Sequence, residues 1–104
     1  MPQTDAPTAP AKPKTKAKTE RPPLYRVILL NDDYTPREFV VKVLVGIFRM
    51  TEDEAYAVML AAHQQGACVI AVYTKEVAET KAEQGTEAGR RNGYPLAFTT
   101  EKES

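Results

Sequence analysis

Asn31, Asp32 and Asp33 stand where an apolar run, Val27 to Leu30, breaks off and where Thr35, Pro36 and Glu38 open a helical pattern. One amide and two carboxylates in succession make a corner rich in hydrogen-bond acceptors. An acidic residue near a helix N-terminus often just complements the helix dipole, but that use needs neither the amide nor the second acid. A compact cation with several donors would satisfy all three, and a primary ammonium has three N–H donors and no acceptor. The single histidine of the chain, His63, offers another acceptor, an unprotonated imidazole nitrogen. Asn31, Asp33 and His63 would together hold an ammonium if the end of a strand and the end of a helix meet. Leu29, Leu30, Val40, Met59 and Ala62 would then surround them, giving a small apolar pocket with polar groups at its mouth, the usual build of a ligand site. From spacing alone, however, the simpler reading is that His63 closes the end of its own helix.

Other chemistries find less support. His63 with Asp32 or Asp33 has the makings of an acid–base pair, but no serine or cysteine nucleophile is placed beside them. The chain has no glycine-rich phosphate loop, no G-x-S-x-G turn and no metalloprotease motif. No enzymatic activity and no cofactor are expected. One cysteine permits no internal disulfide, and one cysteine with one histidine fails every zinc spacing. Asn31-Asp32-Asp33 lacks the order and the downstream glutamate of a calcium loop, so no metal is expected either. Cys68 lies in the apolar run Ala67 to Tyr73 and reads as a small buried hydrophobe. Zero formal net charge points to no nucleic-acid partner, and no apolar stretch approaches the ~20 residues that cross a membrane.

The elements that must position these residues follow from hydrophobic period. One hundred and four residues make one small domain. Leu24 to Asn31 reads as a strand with Tyr25, Val27 and Leu29 on one face and Ile28 and Leu30 on the other. A helix from Pro36 to about Arg49 presents Phe39, Val40, Val43, Leu44, Ile47 and Phe48. Thr35 and Glu38 form its capping box and Pro36 its first position. Gly46 within it is costly enough to suggest a close approach. A second helix opens on the capping box Thr51–Glu54, carries Ala55, Val58, Met59 and Ala62 inward, and stops at Gly66. A buried strand, Ala67 to Tyr73, follows. A third, mostly polar helix runs from Thr74 to about Asn92, stopped by Gly93, and should cover the sheet. Leu96, Phe98 and Thr100 alternate with Ala97 and Thr99 in a last strand; Glu101 to Ser104 should fray. The order β-α-α-β-α-β gives an α+β sandwich with a small three-stranded sheet.

Residues 1–23 differ in kind. They are rich in Pro, Ala, Thr and Lys, with five basic residues against two acidic ones, a surplus of three positive charges that residues 24–104 balance. With almost no large apolar side chain, this stretch cannot offset its ordering entropy and is expected to be a disordered arm. It lacks the apolar centre of a secretory signal.

The ordered stretches Tyr25 to Pro36, Glu38-Phe39-Val40, Met59 to Gly66, Val77 to Lys81 and Tyr94-Pro95-Leu96 resemble the signature of the ClpS adaptor family over residues 24–102. The resemblance implies a fold like the C-terminal domain of the ribosomal stalk protein. It implies a cytoplasmic, bacterial, monomeric adaptor that binds proteins beginning with Phe, Tyr, Trp or Leu and hands them to a Clp-type AAA+ unfoldase coupled to a peptidase. It further implies that Asn31, Asp33 and His63, with Asp32 beside them, hold the free α-amino group, Asp33 through water. Leu29, Leu30, Thr35, Val40, Met59, Ala62 and Leu96 would line the side-chain pocket, Glu76 and Lys81 would dock on the N-terminal domain of the unfoldase, and the arm would serve hand-over. His63 thereby moves to the ligand role. Two positions depart from the family pattern: Arg37 stands at the rim where most members carry Met, and Ala62 where many carry Val. A roomier pocket favouring aromatic first residues over Leu is expected, as in a divergent second paralogue. The alternative is a scaffold that docks on the unfoldase and regulates it without reading N-termini.

Overall fold

A three-stranded antiparallel sheet carries the molecule, with the first strand in chain order at its centre. The computed structural model describes residues 21–103, so the arm expected over 1–23 lies, except for its last three residues, outside the described residues. The strands are β1 (Leu24–Leu30), β2 (Ala67–Thr74) and β3 (Ala97–Lys102), and the helices α1 (Arg37–Phe48), α2 (Glu52–Gln65) and α3 (Lys75–Arg91). The order is the expected β-α-α-β-α-β.

Alternation along β1 decides the faces. Val27 and Leu29 are buried, whereas Leu24 and Leu30 are exposed. Val27 pairs with Ala71 and Thr100, and Leu29 with Cys68 and Phe98, so one face of all three strands turns to the helices. The other face is open: Val69 is 49% and Val72 41% exposed. The expectation that β2 is a buried run is therefore wrong. Apolar β-branched residues on both faces of a short segment do not reveal that only one face has helices to cover it. Ile70 is left unpaired between Ala71, opposite Val27, and Val69, opposite Ile28, making a bulge in this edge strand.

The core is Val27, Leu29, Val40, Val43, Leu44, Phe48, Ala55, Met59, Ala62, Leu96 and Phe98, with Val41, Ala78 and Ala82 added to those the period identified. Phe39 and Ile47 are only partly buried. The inward face of α3 is nearly bare: Ala78, Ala82, Gly85 and Gly89. Small residues let the helix lie close on the sheet, with the Phe98 ring filling the space above Gly85 and packing on Phe48 at 5.2 Å between centroids. Lys81 ties α3 to α1 by donating from Nζ to the Ile47 carbonyl at 2.8 Å, one of the acceptors left over at the helix end.

The helix ends match in part. The Thr51–Glu54 capping box is complete, with Glu54 N donating to Thr51 Oγ1 at 3.1 Å and Thr51 N to Glu54 Oε1 at 2.9 Å. Gly66, at φ 89°, ends α2 in a left-handed conformation that a Cβ would disfavour. The second expected box, Thr35 with Glu38, does not form. Pro36 is itself the capping residue, with ψ 142°, and no side chain caps α1. The Pro36 carbonyl receives Phe39 N and Val40 N. Asp32 Oδ1 takes the Thr35 N–H that Glu38 would receive in a box, and Asp32 Oδ2 receives the Thr35 hydroxyl, a competition between two local acceptors that spacing cannot resolve. The C-terminal tail does not fray at Glu101: β3 continues to Lys102, and Glu103 N donates to the Leu24 carbonyl at 2.8 Å.

Gly46 does not mark close packing. A Cβ there would meet nothing within 4 Å. Gly46→Ala is expected to stabilise the fold by about 0.5–1 kcal/mol through helix propensity alone. A urea midpoint at or below that of the parent would contradict this.

Candidate functional site

The site forms where the C-terminal end of β1 meets the last turn of α2. Asn31 N donates to the Gly66 carbonyl at 3.0 Å, and Leu30 pairs with Ala67. Because Gly66 turns the chain directly from α2 into β2, the partner of β1, the end of α2 has to stand beside Asn31. That turn brings His63, three residues before Gly66, to the acids after β1.

The loop between β1 and α1 is braced by Asp32. Its Oδ1 accepts from Tyr34 N at 2.8 Å and Thr35 N at 2.7 Å, and its Oδ2 accepts from the Thr35 hydroxyl at 2.9 Å. Such a side-chain turn, bonding the backbone two and three residues on, is a frequent use of Asp. Asp32, expected beside the ammonium-binding groups, thus spends its carboxylate on holding the loop. Among the described residues, the side chains of Asn31, Asp33 and His63 make no hydrogen bond or ion pair. The helix-closing use of His63 has no bond to support it, although the residue does lie in the last turn of α2.

These residues share one cavity of about 150 Å³. Its inner wall is Leu29, Val40, Met59, Ala62 and Leu96, all buried. Asn31, Asp32, Asp33, Thr35, Arg37, Leu30 and His63 complete the lining. The size decides what fits. An apolar cavity of about 150 Å³ takes a benzene ring, so this pocket has room for one large side chain. Every pocket residue expected from the sequence lines it. Leu60 lines it too and was missed. Its position three residues before His63 on α2 places the two on neighbouring rows of the helix, a signal that was available.

The remaining expected residues lie elsewhere. Glu76 is exposed in the first turn of α3, and Lys81 is the half-buried link to Ile47 already described. Cys68 is half-buried on β2, and burial raises its thiol pKa, which keeps it in the unreactive protonated form. Among the described residues, no three His, Cys, Asp or Glu side chains converge as metal ligands, and no helix is long and apolar enough to cross a membrane.

Comparison with known proteins gives a consistent result. The family model for the ATP-dependent Clp protease adaptor protein ClpS matches residues 20–99. ClpS 1 of Rhodopseudomonas palustris is 69% identical over 96 residues, covering 88% of this chain and 93% of that protein. ClpS 1 of Bradyrhizobium diazoefficiens is 65% identical over 99 residues, covering 95% and 97%. The solved structure of Agrobacterium tumefaciens ClpS2 bound to L-phenylalaninamide superposes with a TM-score of 0.79 at 55% identity, covering 80% of this chain and all of that one.

Proposed function

The chain belongs to the ClpS family of Clp protease adaptors, and on that premise we propose that it binds the free N-terminus of proteins whose first residue is large and apolar. The observation that carries this is the cavity: room for one ring-sized side chain, with Asn31, Asp33 and His63 at its polar edge. L-Phenylalaninamide, the ligand of the Agrobacterium relative, has the matching parts: a free α-amino group, a benzyl side chain, and a carboxamide where a protein would continue. In this reading the benzyl group lies against Leu29, Val40, Met59, Ala62 and Leu96. The ammonium donates to the Asn31 amide oxygen, to an imidazole nitrogen of His63 and, through water, to the Asp33 carboxylate, and Asp32 holds the loop that presents them. Burying an aromatic side chain supplies about 1.5–3 kcal/mol, so the polar groups must provide much of a specific affinity.

The protein carries out no chemistry on what it binds. It delivers its cargo to a Clp-type AAA+ unfoldase, docking through the start of α3, where Glu76 is exposed and Lys81 is held in place by Ile47. The test is calorimetric titration of the isolated protein with peptides that differ only in residue one. Phe-first is expected to bind more tightly than Leu-first, and Ser-first not at all. No binding of the Phe-first peptide, alongside an effect on the unfoldase, would replace this reading by that of a regulatory scaffold.

Residues 1–20 should matter to delivery and not to capture. Among the described residues, those that line the cavity lie between Leu29 and Leu96. Truncation to residue 21 is therefore expected to leave peptide affinity unchanged while degradation of a Phe-first protein by the unfoldase–peptidase pair falls. Degradation that persists at the full rate would remove the arm from the mechanism.

A further inference from the structure

The cavity has a charge that first-residue capture does not use. Arg37 is the first residue of α1, is exposed, and lines the mouth. A cation in the first turn of a helix opposes the helix dipole, so local preference does not explain its presence. Among the described residues it has no ion pair, whereas Arg26, Arg90 and Arg91 each pair with a glutamate. Glu38, the next residue, makes no ion pair with it, and the two acids of the preceding loop each have another use. Asp32 makes three hydrogen bonds within the loop, and Asp33 is assigned to the ammonium in the proposed function, on which this inference rests.

We propose that Arg37 reads the second residue of the bound N-terminus and selects for a carboxylate there. With the first side chain in the cavity and the ammonium at its polar edge, the chain can leave only across the mouth. The second Cα follows the first by about 3.8 Å. Successive side chains of an extended segment point to opposite sides, so the second side chain turns out of the cavity toward the rim. The long stem of Arg37 can lie along the apolar rim while its guanidinium meets a carboxylate in water. The pair is solvent-exposed, which bounds its effect to a few-fold and makes it sensitive to salt.

The experiment titrates Phe-Glu-, Phe-Gln- and Phe-Lys-first peptides, otherwise identical, against the full chain and its Arg37→Gln and Arg37→Glu variants, at low and high salt. The quantity read is the ratio of affinities within each protein, so any general effect of a substitution on the cavity cancels. The parent is expected to favour Glu over Lys by roughly two- to fivefold at low salt, with Gln between, and less at high salt. Arg37→Gln should bring the ratio close to one, and Arg37→Glu should invert it. Equal affinities in the parent, or a preference that survives Arg37→Gln, would overturn the assignment while leaving first-residue capture intact. Failure of all three peptides to bind the parent would instead overturn the capture reading and this inference with it.

Discussion

Acetylating the N-terminus of a Phe-first peptide is expected to lower its affinity at least a hundredfold, about 2.7 kcal/mol. The proposed contacts of the ammonium are to acceptors only: the Asn31 amide oxygen, an imidazole nitrogen of His63 and, through water, the Asp33 carboxylate. An acetylated nitrogen keeps one N–H donor and loses the charge, so at least two of these acceptors are covered by ligand without a partner. Each such group costs about 1–3 kcal/mol, and the charged one lies toward the upper end. The benzyl group is unchanged, so the apolar contribution is the same for both peptides and the difference reports the polar edge alone. Paired titrations of the free and acetylated peptides measure it directly. Equal affinities would take Asn31, Asp33 and His63 out of the binding site, whatever the apolar cavity does.

Gly89→Ala should destabilise the fold and weaken peptide binding in a single step. A Cβ at this position would lie 2.8 Å from the Cβ of Leu96, 3.3 Å from the Tyr94 carbonyl oxygen and 3.4 Å from that of Leu96. Two of these are backbone atoms, and the third is the stem of a side chain only 2% exposed, so no rotamer change relieves the contact. The segment is also tied to α3 by Tyr94 N donating to the Gly89 carbonyl at 2.9 Å. Overpacking of this kind costs about 1–3 kcal/mol, and alanine returns up to about 1 kcal/mol of helix propensity. The net expectation is a loss of about 1–2 kcal/mol, the opposite sign to Gly46→Ala. Leu96 is also a wall of the cavity, so its displacement should lower affinity for a Phe-first peptide even where the variant is fully folded. Urea unfolding and titration of the same sample test both halves. A variant as stable as the parent would show that residues 94–96 yield freely, and unchanged affinity would show that they yield away from the cavity.

The contrast between these two glycines shows where local pattern stops being informative. Gly46 and Gly89 both interrupt a helical pattern, and in the sequence both are simply costly. One faces open space and the other lies against the backbone before β3, a distinction that exists only once α3 is laid on the sheet. The Thr51 and Thr35 caps differ for a similar reason. Thr51 has Glu54 as its partner and the box forms, while the Thr35 N–H that Glu38 would receive goes to Asp32 instead.

The sequence by itself determined the element order, most of the inward faces of α1 and α2, and the family. Each of these is written in local periodicity or in contiguous motifs, Tyr25 to Pro36 above all. It also determined which residue types could receive an ammonium. Tertiary structure alone decided that His63 reaches the residues after β1, because that depends on Gly66 turning α2 into the strand that pairs with β1. It alone decided that Asp32 braces the loop, leaving Asn31 and Asp33 free, that β2 has one open face, and that Leu60 joins the cavity. These outcomes depend on which surfaces other elements cover and which acceptor wins a shared donor. Both are settled by contacts between residues far apart in the chain, which no local pattern records.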